Sequence, residues 1–396
     1  MASKSTIVLT ADQMKEVRQS MHARIREGLK DEGREIRAFP AFVSPPSVLD
    51  GKALVVDTGG TNMRAAVVSL TPGKPPAILK GPVQDRLPVR GAHKLDGETF
   101  FAIQAKLAAS LDPPKDLPVG YCFSYASKSE PSLDATLTHW TKGIDIPGVE
   151  GTRVGQRLCD ALSNAGVGPA YVHVLNDTVA CLLGGSVVHK GPSPSNVVGL
   201  IVGTGTNMAG FFSPRSAPKL AAFGTEGAMA INLESGNFTP PFALPCDDAI
   251  DARSPNPGRQ RFEKAVSGYY LPWLFAELMP NVEGFDPEQG SKALVDLRDR
   301  NDGSEASEVA GALLLRSAQL VAAGLAAVVD FYEGDEPITI LSEGSLFWGD
   351  PQYAQATQTA LEALLERKDR VRFERVTDVN LIGSAVVALN RSVVED

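Results

Sequence analysis

Asp177 lies in the stretch "VLNDTVACLL", where an apolar run that reads as a strand gives way to one that reads as a helix. A carboxylate at such a junction has two ordinary uses. With Asn176 and Thr178 beside it, it can cap the helix. It can also take a proton from an alcohol held within about 3 Å, in the crevice that forms beyond strand ends. Two other stretches bear on the choice. "VVDTGGTNMRAAVV" (Val55–Val68) and "LIVGTGTNMAGFF" (Leu200–Phe212) each set glycine, threonine and asparagine between two apolar runs. Loops poor in side chains let backbone N–H groups approach an anion closely, and Thr and Asn add donors. One such loop is as easily a tight hairpin. Two near-copies ending in Thr-Asn point instead to phosphates held from opposite sides. Neither fits G-x-x-x-x-G-K-[ST], nor G-x-G-x-x-G opening a helix, which sets aside a P-loop and a dinucleotide fold.

The elements that must carry these groups alternate. Thr10-Ala11-Asp12-Gln13 matches a capping box ahead of a helical segment, 11–30. Strands are predicted near 53–57, 64–70, 171–175, 337–342 and 371–375, in "LPVGYCFSY", and in a second glycine hairpin over 197–212. Helices are predicted near 98–111, 152–165, from 177 onward, 261–278, 304–332, 352–368 and 380–393. The stretch 39–51 reads as a connector, 71–91 as a Pro/Gly-rich excursion and 126–151 as a long polar loop. Alternating strands and helices make the class α/β, and the paired hairpins imply two related sheet units facing each other.

The chain has 396 residues, enough for two domains, with 43% apolar and 21% charged residues, as in soluble globular proteins. A net charge of −9 without a Lys/Arg-rich run argues against nucleic acid or an anionic membrane as partner. Cys122, Cys159, Cys181 and Cys246 form no C-x-x-C pair, so neither a zinc site nor a redox dithiol is expected, and a reducing compartment fits. The N-terminal apolar patch is short for a signal peptide, and no run of about 20 apolar residues stands out. A soluble cytoplasmic protein, monomer or homodimer, is expected. His22, His93, His139, His173 and His189 join no constellation and read as packing or surface residues.

The motifs and their order resemble the hexokinase family, within the sugar kinase, actin and heat-shock ATPase superfold. "VVDTGGTNMR" is similar to its first phosphate motif, and "FSYASKSE" and "HWTKGIDIPGVEG" to the start and end of its sugar segment. "VLNDTVACLL" resembles the catalytic-aspartate segment and "GLIVGTGTNMAG" the second phosphate motif. "INLESGNF" and "FEKAVSGYYLPWLF" resemble sugar-contacting stretches, "LSEGSLFWGD" the adenosine motif and "LIGSAVVAL" the terminal helix. The resemblance runs from about Phe39 to Leu389. It implies a two-lobed actin-like (ribonuclease H-like) ATPase fold with a cleft between a small domain, 51–179 plus 381–396, and a large one, 1–50 plus 180–380.

The same resemblance implies ATP-dependent phosphorylation of a hexose at its 6-hydroxyl, glucose first, with mannose and fructose plausible. It assigns Asp177 as general base and Lys142 as a donor that steadies charge on the transferring oxygen. The sugar would meet Ser124, Thr141, Lys142, Asn176, Asp177, Asn207, Glu234 and Glu263. The phosphates would meet Asp57, Gly59, Gly60, Thr61, Asn62, Arg64, Thr204 and Gly205, and the adenosine Gly344 and Ser345. Mg²⁺ would arrive with the nucleotide, positioned by Asp57 through water, with no dedicated protein cage. On the residues alone, Glu263 beside Lys264 reads as an exposed helix acid, and "EGS" is only a turn signal. Trp140 adjoins Thr141-Lys142, where it could report sugar binding. Ala126-Ser127 and Ser235 depart from the family pattern beside the sugar site, and the chain is short for the family, so the breadth of accepted sugars is open. The competing readings are a non-catalytic sugar sensor on the same scaffold, a superfold relative acting as ATPase or carboxylate kinase, and polyphosphate as donor in place of ATP.

Overall fold

The computed structural model describes residues 4–47, 49–60, 62–88, 95–140, 144–188, 193 and 195–390. Two sheets of the same design organise the described residues. In the first, β2 (Gly51–Thr58), β3 (Asn62–Leu70) and β4 (Ala77–Arg86) form an antiparallel meander. β5 (Val119–Phe123) joins β2 in parallel, and β8 (Val172–Leu175) joins β5, giving the order β4-β3-β2-β5-β8. The second repeats the plan with β9 (Val197–Val202), β10 (Thr206–Phe212) and β11 (Met229–Asn232) as the meander. β12 (Ile338–Glu343) and β13 (Val371–Glu374) are its parallel pair, and the short β1 (Phe39–Pro40) borders β11. The expected pair of related sheet units is therefore present, each opening with one of the glycine hairpins.

The helix that ends each half packs on the other half's sheet. α5 (Asp177–Val188) follows β8 but lies against β9 and β10, whereas α13 (Val379–Leu389) follows β13 but lies against β2 and β5. The two helices also pack on each other between the sheets. Glycine makes this stack possible. A Cβ on Gly120 of β5 would fall 1.8 Å from Ser384 O of α13, and one on Gly383 of α13 would fall 2.0 Å from Ala180 O of α5. A Cβ on Gly199 of β9 would fall 2.6 Å from Thr178 O of α5. Period-two alternation along β2 feeds two cores: Ala53 and Val55 face the helix pair, and Leu54 and Val56 face α3 (Gly97–Ala109) and α4 (Val154–Asn164).

The remaining helices cover the second sheet: α1 (Lys4–Ile7), α2 (Ala11–Lys30), α6 (Pro245–Arg253), α7 (Arg261–Val266), α8 (Leu271–Leu278), α9 (Ser291–Asp299), α10 (Glu305–Val329), α11 (Ser345–Gly349) and α12 (Pro351–Leu365). The capping box is formed: Gln13 N–H donates to Thr10 Oγ1 at 3.2 Å and Thr10 N–H to Gln13 Oε1 at 2.8 Å. α10 is long and apolar enough to cross a membrane by length and composition, contrary to expectation, but 94% of its apolar window is buried, as befits a core helix.

Other expectations are corrected. The 71–91 excursion contains β4, an exposed edge strand whose Gly81-Pro82 is tolerated because an edge can forgo ladder bonds. The 126–151 loop holds a small hairpin, β6 (Ser127–Ser129) with β7 (Ala135–Leu137). The helix expected over 261–278 is broken into α7 and α8, because Gly268 N–H leaves the helical ladder to donate to Gly203 O at 2.7 Å.

Candidate functional site

Register in the first sheet gathers the site. Asp57 lies opposite Cys122, and Cys122 opposite Leu175, so β2, β5 and β8 end side by side. Asp57, Ser124, Asn176 and Asp177 consequently emerge at one edge, the C-terminal ends of parallel strands, where α/β sheets bind ligands. The buried Cys122 thiol senses this: burial pushes its pKa well up, and Asp57 and Asp177 add to the rise. Behind the row, Thr58 Oγ1 donates to Gln104 Oε1 at 2.5 Å and Tyr121 Oη to the same oxygen at 2.8 Å, which pins the end of β2.

The first hairpin turns between Thr58 and Asn62, with Gly59 N–H donating to Asn62 O at 2.9 Å. Tyr125 Oη donates to Gly59 O at 2.7 Å and ties that turn to the end of β5. Arg64 bridges two acids: its Nη2 lies 2.7 Å from Asp57 Oδ2 and its Nη1 3.0 Å from Asp378 Oδ1, just before α13. Burial opposes the guanidinium charge, but Asp57 and then Asp378 outweigh it and hold the Arg64 pKa above its ordinary value. The charge expected at this loop is thus locked to the strand beneath.

At the mouth of α5, Thr178 N–H donates to Asn176 Oδ1 at 2.9 Å and to Asp177 Oδ1 at 2.8 Å. Both residues therefore take part in capping, and both remain partly exposed toward the crevice. Capping and proton acceptance are compatible, since a carboxylate offers two oxygens with about four lone-pair sites.

The second hairpin is joined to α7 and β12. Glu263 Oε2 accepts from Thr206 N–H at 3.1 Å, and a Cβ on Gly205 would meet that oxygen at 2.6 Å. Burial and then the nearby Glu263 carboxylate push the Tyr270 phenol up to about 12. Far from being a free helix acid, Glu263 is built into the loop that Thr204 and Gly205 belong to. Gly344, at φ 122°, lies so close to Val202 that a Cβ would fall 2.1 Å from Val202 O. This brings the Gly344-Ser345 turn against the second hairpin, with Ser345 exposed at the start of α11. Asn207, Ser235 and Glu234 meet through an amide chain that includes Asn232, described below.

Thr61, Thr141 and Lys142 lie outside the described residues, as do His93 and His189. Trp140 packs edge-on against Phe100 and Tyr125 and donates from Nε1 to Ile146 O at 3.0 Å. Sequence reasoning missed Tyr125, Asn232 and Asp378. Asn232, two residues before Glu234 in "INLESGNF", was the most visible of the three.

Among the described residues no three His, Cys, Asp or Glu side chains cluster as a metal site. Asp57 is the carboxylate at the first hairpin, and a single carboxylate suits a Mg²⁺ that keeps its water and arrives with phosphates.

Residues 2–187, 197–282 and 288–390 match the two halves of the hexokinase family profile, described as Hexokinase. The chain belongs to the hexokinase family. It is a sugar-kinase phosphotransferase by that membership. It is 28% identical to Hexokinase-2 of Candida albicans over 438 residues, covering 96% of this chain and 89% of that one. It spans about half the length of the human hexokinases it matches, 46% of human Hexokinase-2. The solved hexokinase of Schistosoma mansoni complexed with glucose superposes with a TM-score of 0.81 at 25% identity, over 98% of this chain and 97% of that one. A glucokinase of the ROK family from Streptomyces griseus, in complex with glucose and AMPPNP, superposes with a TM-score of 0.54 at 17% identity, over 85% and 98%, a likeness of fold. The fold of this hexokinase-family chain is accordingly the two-lobed actin-like α/β fold.

Proposed function

We propose that this hexokinase-family chain transfers the γ-phosphoryl group of ATP to the 6-hydroxyl of a hexose, glucose foremost, with Asp177 as general base. The observation that carries the reading is the row formed by Asp57, Ser124 and Asp177 at the ends of three adjacent parallel strands, with the second hairpin joined to α5 through Thr178 and Gly199. Asp177 accepts the hydroxyl proton as the phosphoryl arrives, while positioning carries most of the remaining catalysis. Asn176, Asn207, Glu234 and Glu263 hold the sugar's other hydroxyls, as do Ser124, Thr141 and Lys142. The two hairpins hold the phosphates, and Gly344-Ser345 borders the adenosine. Mg²⁺, held near Asp57, would neutralise phosphate charge. Lobes divided near residue 180, with α5 and α13 between them, close on the sugar and exclude water, a smaller rival nucleophile.

The test is a coupled assay for sugar phosphate with ATP, Mg²⁺ and a panel of hexoses, run on the wild type and Asp177→Ala. Wild-type turnover is expected, and Asp177→Ala is expected to bind hexose while losing about 10²–10⁴-fold or more in kcat. Near-normal turnover in the variant rejects the assigned base. A wild type that binds hexose without turning it over marks a sensor, and one that turns over with polyphosphate alone reassigns the donor.

A further inference from the structure

Asn207 and Glu234, both read as sugar contacts, are linked through one amide. Asn232, buried at the end of β11, stands between them. Its amide donates from Nδ2 to Glu234 Oε1 at 2.7 Å and accepts at Oδ1 from Asn207 Nδ2, also at 2.7 Å. The same Oδ1 lies 3.4 Å from Glu234 N–H, so Asn232 engages both the backbone and the carboxylate of one residue.

The direction of this chain is dictated by groups that cannot be turned round. Met208 N–H at 2.8 Å and Ser235 N–H at 3.1 Å both point at one end of the Asn207 amide. Backbone N–H groups only donate, so that end is the oxygen and the other is the NH₂. The NH₂ of Asn207 faces Asn232, which must answer with its oxygen, and its own NH₂ is then left facing Glu234. Two backbone donors thereby fix the orientation of two amides and deliver an N–H to a carboxylate. Glu234 needs such support, because its backbone is left-handed at φ 56° and ψ 44°, a conformation that costs a non-glycine residue energy unless its surroundings hold it.

We propose that Asn232 is a positioning residue for hexose recognition: through the chain Asn207–Asn232–Glu234 it holds the Glu234 carboxylate at the angle from which it accepts a sugar hydroxyl. The inference rests on the hexose-kinase reading above and extends it to a residue that does not itself contact the sugar. Supporting shells of this kind decide whether a binding group is held tightly enough to be useful.

Three hexose-kinase variants test it: Asn232→Ala, Asn232→Asp and Asn232→Ala combined with Glu234→Ala, each compared with wild type and Glu234→Ala. Asn232→Ala removes a hydrogen bond to a charged group, so kcat/KM for hexose should fall about 10- to 100-fold. The fall should lie mainly in the hexose KM, with the KM for ATP unmoved. Asn232→Asp keeps the shape and both accepted bonds but replaces the donor with a second negative charge. It should raise the hexose KM at least as far as alanine does. In the Glu234→Ala background, Asn232→Ala should add nothing further. A role in packing alone predicts the reverse order, aspartate milder than alanine, together with an additive double variant and equal rises in both KM values; any of these overturns the relay. Should the alanine variant unfold, the isosteric aspartate variant and its thermal midpoint still decide the point. A wild type inactive on every hexose rejects the underlying reaction, whereas an active wild type with unaltered Asn232 variants rejects only the relay.

Discussion

Gly383→Ala probes the contact on which the whole arrangement turns. A Cβ at this position would fall 2.0 Å from Ala180 O and 2.6 Å from Ala180 C, whereas real Cβ atoms essentially never come within 3.0 Å of a neighbour. The obstacle is backbone, which cannot swing aside as a side-chain tip can. α5 and α13 must part by about 1 Å, the difference between 3.0 and 2.0 Å. The reciprocal contact, in which a Cβ on Gly184 would meet Val379 O at 2.4 Å, lies in the same seam and leaves no slack. Overpacking typically costs about 1–3 kcal/mol, and a backbone-on-backbone clash belongs at the upper end. At about 2.1 cal/mol/K per residue, a chain of 396 residues loses roughly 1 °C per kcal/mol, so the thermal midpoint should drop by about 2–4 °C. Because Asp177 opens α5, a displacement of this size should also lower kcat, by on the order of 10²-fold. Differential scanning fluorimetry and the coupled kinase assay measure the two effects. Gly227→Ala serves as control, since nothing lies within 4 Å of a Cβ there. A Gly383→Ala protein whose midpoint and turnover match those of the Gly227→Ala control would refute the claim that the two helices meet backbone to backbone.

Two other substitutions act on charge. Burial pushes the Glu343 pKa above its ordinary value of 4.5, with Arg375 and Arg64 offsetting only part of the rise. A carboxyl whose pKa is raised on folding favours the native state at low pH and loses that favour as pH climbs through the folded value. Glu343→Gln should therefore raise the thermal midpoint near neutral pH, and the gain should shrink as pH falls toward 4.5; a gain independent of pH removes titration as its cause. Lys264 is buried, with Nζ donating to Asp251 Oδ1 and Ser254 Oγ at 2.7 Å and to Asn256 O at 2.9 Å. Lys264→Met takes away one of the two cations that face Asp251, leaving Arg261 and Gly258 N–H, and should cost about 1.5–3 kcal/mol in urea unfolding. Adding Asp251→Asn should recover part of that cost, and a double variant no more stable than the single one speaks against the lost charge pairing as its cause.

The legible parts of this chain were those whose physics is local. Alternation along β2, the capping box at Thr10 and the twin glycine hairpins each follow from a few neighbouring residues. β4 was illegible because an exposed edge strand needs no apolar alternation, so its Gly81-Pro82 pair reads as loop. The break between α7 and α8 was equally hidden, since its cause is Gly203, more than sixty residues away in sequence. Glu263 shows the same limit at the site: beside Lys264 on a helix it looks solvated, and only the fold brings Thr206 N–H to its carboxylate.

The exchange of terminal helices between the two halves explains why the site could be half-read at all. A strand end followed by a helix was enough to single out Asp177, because both belong to one half. What ties that acid to both glycine hairpins is that its helix packs on the opposite sheet, with Thr178 O pressed against Gly199 at the start of the second hairpin. Each half thus contributes a hairpin to the crevice and lends a helix to the other's core. The Gly383 and Gly184 contacts lie in the seam where α5 meets α13, so the surface that holds the two helices together is also the one that joins the half carrying one hairpin to the half carrying the other.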